Sequence, residues 1–402
     1  MKSIALFSCL SLALGTPPVS NLPSGRTLEP ERSLVEEGVK PMQHEKSPLS
    51  DDPPIRLEKL FTLQAKESRG SSGIAFSPDG KILAVAWLGG YVQYKNADVA
   101  LWNVGTRKLL HVLPHIEEPI AALAFVPPGD RLATGCMNLN KVFLWDARNG
   151  RLLETLDIGG RAGHDVTGLA AFPDGKRVIV CATTGLLVWD LQAKTHATLP
   201  LHEHVPLAPG EKRAIARYCA AVGSTADGSR FATSARDVRF AARILLWDGK
   251  TCRVTGTIPI GHLGYHFAYA PDGGSLAAEY YDANAKGLSV GVWDAATGKK
   301  RLSGAIFGEV SALVYTRDGK HLLVAGKHMP MGTPTDNAVI GVWDVVSGRL
   351  VNRMNTSSLS VRLAVSPDNR LLAVAGRNID VYAIEYAAPS NASPDAPFPR
   401  KP

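Results

Sequence analysis

His202-Glu203-His204, with His196 shortly before it, is the grouping in this chain that most suggests a metal. Two imidazoles at alternate positions of an extended segment can share one side of it, yet a tight zinc site takes three or four ligands fixed in space. The cluster falls short of that, so the segment reads as a solvated polar loop, with no metal and no cofactor expected. Catalytic signatures are missing as well. The chain has no Gly-x-Ser-x-Gly elbow, no Gly-x-x-x-x-Gly-Lys-Ser/Thr phosphate loop and no His-Glu-x-x-His pair. Asp and His are plentiful, but many Asp residues belong to turn motifs, and pairing any two as acid and base would be arbitrary. The expectation is a protein that is not an enzyme. A propeller hydrolase, lactonase-like and using a central channel, is the alternative.

Cysteine chemistry depends on the compartment. Outside the first residues the chain carries Cys136, Cys181, Cys219 and Cys252, an even number that an oxidising compartment would allow to pair. Their spacing follows no disulfide framework. Three of them fall in apolar runs, so buried thiols acting as small hydrophobes are the preferred reading.

The elements that must position any site come from a repeat. Copies end in Leu144-Trp145-Asp146, Val188-Trp189-Asp190, Leu246-Trp247-Asp248, Val292-Trp293-Asp294 and Val342-Trp343-Asp344, with Leu101-Trp102-Asn103 as a variant. They recur at about 48 residues on average, slightly more than an uninserted four-stranded blade needs. An earlier marker precedes most of them: Ser77-Pro78-Asp79-Gly80, Pro173-Asp174-Gly175, Ala226-Asp227-Gly228, Pro271-Asp272-Gly273 and Arg317-Asp318-Gly319. Asp-Gly between two apolar runs makes a tight hairpin, because glycine accepts the positive φ that other residues resist. The runs that follow, such as Ile82-Leu83-Ala84-Val85-Ala86, are nearly continuous apolar stretches, as a strand buried on both faces requires. Each unit therefore predicts inner strands a and b, a strand c ending at the Trp, and an exposed outer strand d. A last unit opens at Val365-Ser366-Pro367-Asp368-Asn369 and has no tryptophan.

These markers resemble the WD-repeat family, over about four fifths of the chain. The resemblance implies an all-β, seven-bladed β-propeller that binds other macromolecules as a scaffold or interaction module. The repeats are degenerate. The family often links a Gly-His pair, a strand b Ser or Thr, a turn Asp and the Trp by hydrogen bonds; here Gly163-His164 with Thr183 and Trp189 comes nearest, without the turn Asp. The last unit ends at Ile384 without its own strand d. The earlier segment from Arg56 to Leu63 reads like an outer strand, and it is expected to pair with that blade and close the ring.

Short a–b and c–d turns place the longer connections on the opposite rim: Leu88 to Ala97, Pro200 to Arg213, Arg236 to Ala242, Tyr280 to Gly287 and His328 to Ala338. Insertions there add surface without disturbing the sheets. Aromatic and Arg side chains dominate protein hot spots and Met adapts to varied partners, which selects Tyr91, Tyr94, Arg239, Phe240, Tyr280, Tyr281, His328, Met329 and Met331 as partner-binding candidates.

Composition sets the rest. The formal charge of +7 comes from scattered basic residues, without a stripe that would suit nucleic acid. Lys2 and the apolar run Ile4 to Leu14 read as a secretory signal over residues 1–15, too short to span a membrane, which predicts an exported, periplasmic or secreted protein. Residues 16–54 and 387–402 are Pro-rich without an apolar period and are expected to be a disordered linker and tail. The propeller would fill 55–386 and stand as a monomer when alone, with a protein or peptide as partner.

Overall fold

The computed structural model describes residues 40–42, 54–64, 70–87, 98–113, 118–159, 165–183, 185–199, 201, 218–236, 241–262, 266–282, 287–307, 309–327 and 337–386. Among them every extended element is a strand. The expected signal (1–15) and tail (387–402) lie outside these residues, as does most of the 16–54 segment.

Seven sheets form the blades of a propeller; the four strands of blades one to six run in sequence order from the channel outwards, and blade seven takes its outer strand from the start of the folded chain. Two strands precede them, β1 (Lys40–Met42) and β2 (Ile55–Leu63). Blade one is β3 (Ser71–Phe76), β4 (Ile82–Trp87), β5 (Val99–Asn103) and β6 (Leu109–Val112). Blade two is β7 (Ile120–Val126), β8 (Arg131–Cys136), β9 (Lys141–Asp146) and β10 (Leu152–Asp157). Blade three holds β11 (Val166–Ala171), β12 (Arg177–Ala182), β13 (Gly185–Asp190) and β14 (Thr195–Leu199). In blade four come β15 (Tyr218–Ser224), β16 (Arg230–Arg236), β17 (Ala241–Asp248) and β18 (Val254–His262). Blade five has β19 (Phe267–Tyr269), β20 (Ser275–Asp282), β21 (Gly287–Asp294) and β22 (Lys300–Phe307). Blade six has β23 (Glu309–Tyr315), β24 (His321–Lys327), β25 (Val339–Asp344) and β26 (Leu350–Asn355). Blade seven contributes β27 (Arg362–Val365), β28 (Leu371–Ala375) and β29 (Ile379–Tyr386), and β2 pairs antiparallel with β29 from Ile55↔Tyr386 to Leu63↔Ile379.

The a–b turns share one hydrogen bond. Gly80, Gly175, Gly228, Gly273 and Gly319 each donate N–H to the carbonyl three residues earlier, all at positive φ. Asn369 does the same in blade seven at φ 64°, a conformation that asparagine tolerates best after glycine. Blade two reaches the same turn through Gly129 N–H to the Val126 carbonyl.

Seven hydrophobic clusters hold the disc, and each joins two consecutive blades. Strand b sits in the middle of every sheet and packs on both sides, which is why its residues are apolar without alternation. Each WD tryptophan belongs to the seam shared with the preceding blade: Trp145 packs with Leu101 of blade one, and Trp343 with Val292 of blade five. The ring lies over the glycine two residues before it in blades five and six; a Cβ at Gly291 would come within 2.6 Å of the Trp293 ring. Blade seven fills this place differently. Tyr382 pairs with Leu372 in the register that Trp343 occupies against Leu322, and Ile55 of β2 is buried in the same seam. Leu63, at the other end of β2, lies in the seam between blades seven and one.

Three observations depart from the sequence reading. Residues 40–42 are not irregular: β1 pairs parallel with β22, Lys40↔Leu302 to Met42↔Gly304, because the outer strand of blade five offers an open edge of backbone donors and acceptors. Arg236 to Ala242 and Tyr280 to Gly287 are hairpin ends more than insertions, since Arg236↔Ala242 and Asp282↔Gly287 still pair. Finally, Cys181 and Cys219 form a disulfide linking strand b of blade three to strand a of blade four, with Cα atoms 5.2 Å apart; Cys136 and Cys252 are free.

Candidate interaction face and central channel

Of the partner-binding candidates, Tyr280 and Tyr281 are described; Tyr91, Tyr94, Arg239, Phe240, His328, Met329 and Met331 lie outside the described residues, as does His202-Glu203-His204. Successive residues of β20 face opposite sides of the sheet, so the two tyrosines divide. Tyr280 is 6% exposed and meets Trp293 edge-on at 5.6 Å between ring centroids. Its hydroxyl donates to Asp282 Oδ2 at 3.1 Å, and Lys300 Nζ stands 4.6 Å from its ring centre. Burial, reinforced by the charge of Asp282, pushes this phenol up to about 12. Tyr280 thus serves the seam between blades four and five. Tyr281, 44% exposed, presents its ring to solvent.

A surface that sequence reasoning missed lies on the outer rim. Leu109, Leu110 and Val112 of β6 and Leu152 and Leu153 of β10 are all exposed. The two strands belong to adjacent blades, and the His111 ring bonds to the Arg148 carbonyl at 2.7 Å just before β10. Outer strands usually alternate polar residues outward; the doublets Leu109-Leu110 and Leu152-Leu153 break that alternation and were the available signal.

The internal WD hydrogen bonds also differ from expectation. Trp145 Nε1 donates to Thr134 Oγ1 and Trp247 Nε1 to Thr233 Oγ1, both at 2.9 Å and buried. In blade three Thr183 Oγ1 instead accepts the backbone N–H of Asp165 at 3.1 Å. Gly163 and His164 are outside the described residues.

The inner strands enclose a channel, and a cavity of about 270 Å³ lies along it. Its wall has two characters. Blades two, three and four contribute small or aliphatic residues, among them Ala121, Leu123, Leu169 and Val222, together with Thr167, whose hydroxyl donates to the Cys219 carbonyl. The arc from blade five through seven to one brings the polar groups His266, Ser311, Arg362 and Ser72, set among Ile74, Phe267, Leu313 and Leu363. Arg362 bridges its neighbours: Nε donates to the Ser72 carbonyl at 3.2 Å and Nη1 to the Ser311 carbonyl at 2.8 Å. Glu279, 3% exposed, stands behind His266, accepting its backbone N–H at 3.1 Å with Nδ1 3.4 Å from the same oxygen. Among the described residues no cluster of His, Cys, Asp or Glu suits a metal, and no helix is long and apolar enough to cross a membrane.

Seven sheets around a channel, Asp-Gly turns on one face and Trp-Asp strand ends packed into the blade seams define the class: the chain folds as a seven-bladed β-propeller built from WD-type repeats. No family model matches it. It is similar to the Periodic tryptophan protein 2 homolog of Schizosaccharomyces pombe, 32% identical over 148 residues that cover 36% of this chain and 16% of that protein. The homolog of Neurospora crassa is 28% identical over 134 residues, covering 33% of this chain and 14% of the relative. The match thus spans about a sixth of the length of these curated relatives. Both are intracellular WD-repeat proteins, and this overturns the exported, periplasmic or secreted placement and the signal-peptide reading of residues 1–15. An N-terminal apolar run is a compositional pattern that arises without any export function.

Proposed function

We propose that this propeller is a non-catalytic interaction module that holds a protein or peptide partner. The observation that carries the reading is the exposed aliphatic group formed by Leu109, Leu110, Val112, Leu152 and Leu153 across two adjacent blades. Water-exposed apolar side chains on the outer strands of neighbouring blades gain free energy when a partner covers them. Tyr281 adds a second contact on the rim that bears the long connections, where Tyr91, Tyr94, Arg239, Phe240, His328, Met329 and Met331 also belong by sequence position. Tyr280 contributes indirectly, by packing beneath that rim. The channel supports the same reading, since Glu279 is engaged by His266 and, among the described residues, no carboxylate lines the cavity.

The test is affinity capture from the native source with wild-type protein, Leu110→Glu/Leu153→Glu and Tyr281→Ala. Partners retained by the wild type should be lost or weakened at least about tenfold, roughly 1.4 kcal/mol, in one of the variants. An identical set and yield from all of them would defeat the proposal.

A further inference from the structure

We infer that the central channel is a binding site for a small organic monocarboxylate, its charged end on Arg362 and its apolar body against the arc formed by blades two to four. This goes beyond the partner-binding reading and uses a different surface.

The first argument is charge. A guanidinium stays protonated at all working pH values, and Arg362 is half-buried at the channel wall. Both of its hydrogen bonds go to neutral backbone carbonyls, those of Ser72 and Ser311, and no carboxylate pairs with it among the described residues. A cation withdrawn from water without a counter-charge is costly, and an anion in the cavity removes that cost. Two of the five guanidinium N–H groups are used, which leaves a donor edge already oriented by the other two bonds. The hydroxyls of Ser72 and Ser311 are buried without any hydrogen-bond partner, so donors lacking acceptors stand on either side of Arg362.

The second argument is the asymmetry of the wall. Leu123, Leu169 and Val222 line the cavity in blades two to four while the guanidinium stands in blade seven, so a ligand reaching both has one anionic end and one hydrocarbon end. A single unpaired cation matches the single charge of a carboxylate; a phosphate dianion calls for more donors and more positive charge. Size sets the third limit. At about 30 Å³ for each displaced water, the cavity takes a body of roughly ten non-hydrogen atoms.

The experiment is calorimetric titration of the full chain with sodium benzoate and sodium hexanoate, alongside benzyl alcohol and inorganic phosphate. Saturable binding of the carboxylates with a Kd of about 1 mM or tighter is expected, with benzyl alcohol and phosphate weaker by at least about tenfold. Arg362→Gln should abolish carboxylate binding. Because that change also removes two interblade bonds, Ala121→Asp is the second variant: it places a fixed carboxylate on the arc of blades two to four, leaves the Arg362 bonds in place, and should weaken benzoate at least about tenfold. Absence of saturable binding, equal binding of benzyl alcohol, tighter binding of phosphate, or benzoate binding unchanged in either variant would each overturn the assignment.

Discussion

Deleting residues 55–64 removes the strand that joins the first and last parts of the folded chain, and the cost can be built from its two anchors. Ile55 is fully buried between blades six and seven, among Leu323, Ile340 and Leu372. Leu63 is buried between blades seven and one, beside Leu83 and Val381. Truncating a core Ile or Leu to Ala costs about 2–5 kcal/mol, so Ile55→Ala and Leu63→Ala should each lose about 3 kcal/mol. They sit in separate seams, and the double variant should lose about 6 kcal/mol. With an unfolding entropy near 2.1 cal/mol/K per residue over roughly 330 residues, each single change lowers Tm by about 4 °C and the pair by about 8 °C. Deletion should exceed the pair, since it also removes the backbone ladder with β29, the Asn352 Nδ2 bond to the Ile55 carbonyl, and the contacts of Thr62 and Lys59 with Asp380. The assay is calorimetric and circular-dichroism melting of wild type, both single variants, the double variant and the deletion. A deletion that melts no lower than Ile55→Ala would show that the ring does not depend on this strand.

Other expectations follow from single contacts. Thr134→Val leaves the buried Trp145 Nε1 without its acceptor and should cost about 1–3 kcal/mol in urea denaturation, with Thr233→Val similar and additive to it. His321 is buried and its pKa lies below the ordinary 6.5 because burial disfavours the charged ring. The unfolded chain therefore takes up this proton first as pH falls below 6.5, so the stability linked to neutral His321 is complete above that value and declines towards the folded pKa; His321→Leu should flatten the change in Tm between neutral and mildly acid pH. For the Cys181–Cys219 bridge, which spans 38 residues, the chain-entropy relation gives about 4 kcal/mol. Under denaturing conditions without reductant, two of the five cysteines should fail to react with a thiol reagent, and five reactive thiols would refute the bridge.

The features legible in the sequence are those that a few neighbouring residues decide. A tight a–b turn needs a residue at positive φ in one place, so Asp-Gly marks it, and Asn369 in blade seven obeys the same steric rule. A strand enclosed on both faces must be apolar throughout, so Ile82 to Ala86 and its counterparts reveal the middle of each blade. Trp-Asp shows where strand c ends. Together these specify the blade and its repetition, and hence the fold. The exported reading failed because it rested on the composition of a short apolar run and two small residues, which constrain no geometry.

Features made between blades were hidden, because they depend on register and on which face meets a neighbour. Tyr280 and Tyr281 are the same residue type at adjacent positions, and the seam with blade four buries one while the other remains in water. Tyr382 takes the tryptophan's place in blade seven because strand pairing sets it opposite Leu372. Cys181 finds Cys219 across a blade boundary, and Arg362 reaches the carbonyl of a serine 290 residues earlier. Local pattern thus dictates the blade, since turn sterics and strand burial act over a few residues. Which side chains meet in the seams and around the channel depends on seven blades sharing one circle, a condition that no short stretch of the chain contains.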